Sequence, residues 1–137
     1  MTPQQIELVR NSWPPLEARR DELAAAFYGR LFEIAPETRA MFSADMAAQG
    51  TKLMASLNVV VEHLSDLAPL KPVLGQLGVR HLQWHVTAAH YDQVGAALMW
   101  ALRQALGPAF DDALDTAWQR AYDRVARVMK DAAYGAG

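Results

Sequence analysis

The stretch LGVRHLQWHVTAAHYDQVG, Leu77 to Gly95, carries three of the chain's four histidines, and its reading decides what the rest of the molecule is. On helical geometry a residue and its fourth successor are offset by about 40°. His81 therefore shares a face with Leu77 and Leu74, while His85 sits one turn on and further around. His81 with His85 has the i, i+4 spacing of a helical zinc pair, yet the glutamate of an HExxH motif is missing and no third ligand is evident. The spacing favours one inward-facing imidazole, His81, with His85 and His90 as bystanders. A lone histidine on an apolar face is more often a satisfied core residue than a metal ligand, so the surrounding sequence has to choose.

That surrounding sequence is helical throughout. Thr2-Pro3-Gln4-Gln5 reads as an N-cap followed by proline and a capping-box glutamine, and Ile6, Val9, Trp13 and Leu16 recur at helical spacing. Pro14 and Pro15 are expected to bend or split this first helix, with a restart near Pro15. Leu23, Phe27, Leu31 and Ile34 mark a second helix, which Ala35-Pro36 ends, and a short third one runs through Phe42. Leu53, Leu57, Val60, Val61 and Leu64 place a long amphipathic helix from Met46 to about Leu67. Further stripes follow at Leu70, Leu74, Leu77 and His81, at Tyr91, Val94, Leu98 and Leu102, and at Phe110, Leu114, Ala117, Ala121, Val125 and Val128. No segment alternates with period two, so the class is all-α, and spacing alone does not choose between a four-helix bundle and a layered helical sandwich.

Composition narrows the function. The 137 residues are 52% hydrophobic, enough for one domain, 1–137, with a single contiguous core. The 13 basic and 15 acidic residues nearly cancel and leave no basic stripe for nucleic acid or an anionic membrane. The chain has no cysteine, which removes disulfides, thiolate metal sites and thiol catalysis and fits a reducing compartment. The start MTPQQIELVRNS is polar, and the longest apolar run, Val94 to Leu102, is too short to span a bilayer, so the expectation is a soluble cytoplasmic protein.

Around His81 the sequence supplies an apolar slot. Gln49, Leu53 and Leu57 lie on one face of the long helix, Tyr28 stands in the apolar second helix and Phe42 ends the short third one. An imidazole, two hydrogen-bonding groups and a ring for stacking are the parts of a haem pocket. On the residues alone, ordinary core aromatics and a solvated glutamine are the favoured reading. His63, about four turns beyond Gln49 and so roughly 21 Å along the helix, is too far to ligate the same iron.

The segments FYGRLFEIAPETRAMF, QGTKLMASL, VRHLQWHVTAAHYDQVG and AWQRAY, in that order, make the chain resemble a bacterial single-domain globin, of the lineage of flavohaemoglobin haem domains, Vitreoscilla-type haemoglobins and neuroglobin. The resemblance implies a three-over-three helical sandwich around one haem b, iron protoporphyrin IX. It implies His81 as the proximal iron ligand, Phe42 packed on the porphyrin, Gln49 at the distal position with Leu53 one turn later, and Tyr28 contacting bound oxygen. Tyr91 falls on the proximal side, Lys52 near a propionate, and His85 or His90 at the haem edge. At the place of the carboxylate that joins the proximal tyrosine and histidine in flavohaemoglobins this chain reads Ala133. Asp131 lies about 200° around the helix, so peroxidase-like chemistry is not expected.

The function so implied is reversible binding of oxygen, carbon monoxide and nitric oxide, for storage or delivery. The alternatives are nitric oxide dioxygenation served by an external reductase, since the sequence carries no GxGxxG motif, and a haem-based sensor or haem-handling module acting through a separate partner. A haem-free helical interaction domain would need an unused apolar stripe, and none is visible.

Overall fold

In the computed structural model, which describes residues 1–42, 44–83 and 86–134, Thr2 opens the first helix as its spacing predicts. Its hydroxyl accepts from the Gln5 amide at 3.1 Å, and its own amide donates to the Gln5 side chain at 2.9 Å. Replacing Thr2 with alanine removes a partner for an otherwise orphan helix-start donor and should cost about 1 kcal/mol, read as a lower urea midpoint at unchanged slope.

Six α-helices follow one another among the described residues: α1 (Pro3–Ala18), α2 (Arg20–Ile34), α3 (Met46–Glu62), α4 (Lys71–Gln83), α5 (Ala88–Leu106) and α6 (Asp112–Tyr134). Short 3₁₀ turns sit at Pro36–Met41, Ala68–Leu70 and Gly107–Ala109. No strand occurs among the described residues, and no helix there is long and apolar enough to cross a membrane. The helices form two layers of three, in which α1 and α4 pack on α6, α3 packs on α2 and α1, and α5 packs on α2 and α6.

Two boundaries differ from the sequence reading. Pro14 and Pro15 do not split α1, which runs through both. Their rings are exposed, and the neighbours Trp13 and Leu16 anchor the helix by burial, Trp13 also donating its indole N–H to Asn58 at 2.9 Å. Helix α3 stops at Glu62 rather than near Leu67. The Arg10 guanidinium, from α1, donates to the carbonyls of Val61 and Glu62 at 3.3 and 3.2 Å, satisfying acceptors that the next turn would otherwise take. Leu64 and Leu67 continue the apolar pattern beyond the helix and are still buried.

The single contiguous core expected from composition resolves into two clusters. The larger joins Val9, Leu16, Phe27, Leu31, Leu102 and Trp118 with their neighbours across α1, α2, α3, α5 and α6. The smaller, Leu67, Leu70, Leu74, Tyr91, Ala126 and Met129, sits where α4 meets α6. Tyr122 touches both.

Candidate functional site

Among the described residues α3 packs mainly on α1 and α2 and contributes to the larger cluster, while α4 packs mainly on α6 and contributes to the smaller. At the borders of the two clusters several apolar side chains are only half-buried. Phe42, Met46, Leu53, Leu57 and Val94 pack against the larger cluster, and Leu77 and Val86 against the smaller. An apolar surface that stays partly wetted is unfavourable by about 25 cal/mol per Å² left exposed, and a flat apolar ligand inserted between the clusters would recover it.

One group of site residues comes from α2, the turn after it, and α3. A close approach fixes the two α-helices: a Cβ on Gly50 would stand 3.1 Å from the Ala24 Cβ, so the missing side chain lets α3 lie against α2. That contact brings the Tyr28 hydroxyl within 3.2 Å of the Gln49 backbone carbonyl, to which it donates. The Tyr28 ring is held by Phe27 at 4.9 Å and Phe42 at 5.3 Å, both edge-on, and by Phe32 at 6.0 Å. Burial pushes the Tyr28 phenol up to about 12, so the hydroxyl stays a donor throughout the neutral range. Because the folded-state value is raised, this contribution to stability is complete below pH ~10 and declines as pH climbs from there towards 12. Tyr28→Phe should therefore flatten the onset of alkaline unfolding measured by circular dichroism. Leu53 is half-buried one turn after Gln49, and Lys52 is exposed.

His81 stands in the last turn of α4. Its Nδ1 lies 2.5 Å from the Leu77 carbonyl, one turn back. A carbonyl only accepts, so Nδ1 carries a proton and donates it. An imidazole that ligates a metal through Nε2 is oriented by such a hydrogen bond on its other nitrogen. Among the described residues no three His, Cys, Asp or Glu side chains gather to hold an ion, so a metal at His81 would bring most of its ligands with it, as iron in a porphyrin does. The Tyr91 ring stands 6.3 Å from the His81 ring, tilted by 36°. The structure thus brings His81 and Tyr91 together, and separately groups Tyr28, Phe42 and the Gln49 backbone, with Leu53 one turn on from Gln49. His85 lies outside the described residues.

Several residues near the site have contacts that the sequence reading did not assign to them. His90 is a helix cap: its Nδ1 accepts from the Thr87 amide at 3.0 Å, and the Thr87 hydroxyl accepts from the His90 amide. Its Nε2 reaches Glu37 at 3.5 Å, tying the start of α5 to the turn after α2. The Thr-x-x-His spacing was the available signal, obscured because capping boxes are usually sought with Glu or Gln. On α6 the Tyr122 hydroxyl donates to the Tyr91 carbonyl, and the Lys130 Nζ stands 5.8 Å from the Tyr91 ring centroid. Ala133, where the resemblance put the comparison, is half-buried, and Asp131 is exposed. The Tyr134 hydroxyl donates to the Val86 carbonyl at 2.7 Å, and the Val86 amide donates to the His81 carbonyl at 2.9 Å.

Comparison with known proteins adds to this geometry. The family model described as Globin matches residues 25–129. A flavohemoprotein of Bordetella parapertussis is 31% identical over 132 residues, covering 94% of this chain and 33% of the relative. The chain thus spans about a third of the length of such relatives. A neuroglobin of Chaenocephalus aceratus is 30% identical, covering 90% of this chain and 86% of the relative. Among solved structures, an engineered carbene transferase from Rhodothermus marinus, described as a proposed nitric oxide dioxygenase, is 29% identical, with a TM-score of 0.88 over 99% of this chain and 95% of that one.

Proposed function

The chain belongs to the globin family, and on that premise we propose that it binds oxygen and other diatomic gases reversibly at a haem iron held by His81. The observation that supports this reading is the His81 Nδ1–H hydrogen bond to the Leu77 carbonyl on α4, with half-buried Leu77 packed against the smaller cluster. When bound, haem supplies a ferrous iron with one coordination position for a small gas. The chain has no cysteine, so the thioether links of a c-type haem cannot form here, which supports a non-covalently held haem such as haem b.

Each further residue has a role that follows from its place. Phe42, with Leu53 and Val94, offers apolar surface to the macrocycle, and Lys52, exposed on α3, is available to a propionate at the rim, as His85 is by its position in the sequence. Tyr28 is the buried donor of the distal group. Its hydroxyl can exchange the Gln49 carbonyl for a gas ligand with partial negative charge, and the Gln49 amide is a second donor in the same group. A hydrogen bond to a charged acceptor is worth about 1.5–3 kcal/mol. Tyr28→Phe should therefore speed oxygen dissociation by roughly tenfold or more in stopped-flow displacement by carbon monoxide, whereas an unchanged rate would remove Tyr28 from the ligand site. The functional reading itself is tested by titrating the apoprotein with hemin: saturation at one equivalent, with a Soret band in the ferric, ferrous and carbonyl forms, supports it, and the absence of a Soret band sinks it.

The solved relative from Rhodothermus marinus favours a second reading, nitric oxide dioxygenation, in which nitric oxide and oxygen combine to nitrate and the iron is left ferric. Each cycle then needs one electron from a reductase, a role that flavohemoprotein relatives suggest for a partner. Sustained nitrate formation with an added reductase would favour the enzyme, and a single turnover would favour reversible gas binding in the cytoplasm.

A further inference from the structure

Where α5 meets α6 the surface carries a groove that the gas-binding reading does not use. Its volume is about 350 Å³, and its lining includes Asp92, Gly95, Ala96 and Met99 of α5 and Tyr122 and Asp123 of α6. The floor exists because position 95 has no side chain: a Cβ there would stand 2.8 Å from the Tyr122 Cε2. The Tyr122 ring therefore lies on the α5 backbone.

Two carboxylates charge the groove. Burial first, and then the charges of Tyr91, Asp92 and Asp123, push the Tyr122 phenol up, so both carboxylates are close enough to act on one ring. Asp92 and Asp123 are exposed, and neither carboxylate has an ion-pair or hydrogen-bond partner among the described residues. Arg120 and Arg127, three and four residues from Asp123 on α6, leave it unpaired. An apolar floor beside two unpaired carboxylates is complementary to a lysine or arginine side chain, whose stem covers the floor while its charge meets the carboxylates. The groove also has a route inward: the Tyr122 hydroxyl donates to the Tyr91 carbonyl, and the Tyr91 ring stands 6.3 Å from the His81 ring.

We propose that this groove is the docking site for a basic side chain of an electron-donating protein partner, seated at Tyr122 and joined to His81 through Tyr91. The inference rests on His81 holding the haem. One electron leaves the donor, which is oxidised, and ferric iron becomes ferrous; no bond forms or breaks. Electron transfer slows steeply with distance, so a donor held at the outer end of the tyrosine pair is favoured over one bound elsewhere. The two carboxylates raise the rate at which a basic partner arrives.

The test compares haem-loaded wild type with Asp92→Asn/Asp123→Asn and with a charge-matched control, Glu7→Gln/Glu17→Gln, whose sites are exposed on α1. Acetyl-tetralysine amide is titrated at low salt into the ferrous carbonyl form and followed by amide NMR. Shifts should gather at Asp92, Gly95, Ala96 and Asp123 in wild type and control, with affinity roughly tenfold weaker in the groove variant. Ferric protein under carbon monoxide is then reduced with hexaammineruthenium(II), a cationic donor, or dithionite, an anionic one. The ruthenium rate should drop roughly fivefold in the groove variant alone, and the dithionite rate should not drop. Shifts spread over the acidic surface, equal peptide affinity in the two variants, or groove shifts that follow protein concentration without peptide, as a second copy would give, overturn the docking site. Peptide binding in the groove with an unchanged ruthenium rate in its variant overturns the electron-donor role. A wild type that takes up no haem overturns the functional reading and that role with it, while the peptide titration still reports on the groove.

Discussion

Gly78→Ala should destabilise the protein by about 3 kcal/mol, while Gly75→Ala, the same change one turn earlier on the same helix, should be neutral or stabilising by up to about 1 kcal/mol. At Gly78 an added Cβ would stand 2.1 Å from the Met129 carbonyl oxygen and 2.8 Å from its carbon. Those are backbone atoms of α6, which cannot swing aside as a side chain would, so α4 itself has to retreat. At Gly75 the added Cβ would meet the Ala132 Cβ at 3.4 Å, an ordinary contact, and the alanine gains helix propensity. His81 lies three residues after Gly78 on the same rigid helix, so the retreat carries the imidazole with it. The measurement is a pair of urea unfolding curves, with haem affinity followed in parallel. Equal midpoints for the two variants would mean that α4 and α6 do not cross in backbone contact.

The second large effect is the loss of haem. A flat apolar ligand between the two core clusters would join them, and a ligand that binds only the folded state stabilises it by mass action, about 4.1 kcal/mol at a thousandfold excess over its dissociation constant. In a domain of this size each kcal/mol moves the melting temperature by roughly 2–4 °C, so the apoprotein should melt roughly 10–15 °C below the haem-loaded form. Helix α4 should open first, because its main helix partner is α6 and its half-buried Leu77 borders the smaller cluster. Hydrogen exchange on the two forms locates the difference: protection gained on haem addition should concentrate in α4 and around Tyr91. Identical melting with and without stoichiometric hemin would contradict the assignment of a ligand site between the clusters.

The fold was largely readable where one segment carries its own signal. The capping box at Thr2 and Gln5 and the apolar spacing of α2 and α5 depend on neighbours within a turn or two, and they stand where the sequence puts them. The end of α3 was not readable, because it is made by Arg10, 51 residues away from Val61. The continuity of α1 through two prolines was hidden for a similar reason, since the burial of Trp13 and Leu16 that offsets the lost donors is tertiary. At the site, the sharing of one helix face by His81, Leu77 and Leu74 followed from spacing, but the hydrogen bond from His81 to the Leu77 carbonyl required the distance itself. Lys130 could not be seen at all, because which turn of α6 meets Tyr91 depends on how α4, α5 and α6 cross.

The central claim is that His81 is the protein ligand to a gas-binding haem iron. The direct measurement is the carbon monoxide difference spectrum of hemin-reconstituted, dithionite-reduced protein, recorded for wild type and for His81→Ala. The account predicts a ferrous carbonyl Soret band in wild type that is lost or displaced in the variant and regained, at least in part, when imidazole is added. Wild type without a Soret band, or a variant whose band matches that of wild type in position and intensity, would contradict it.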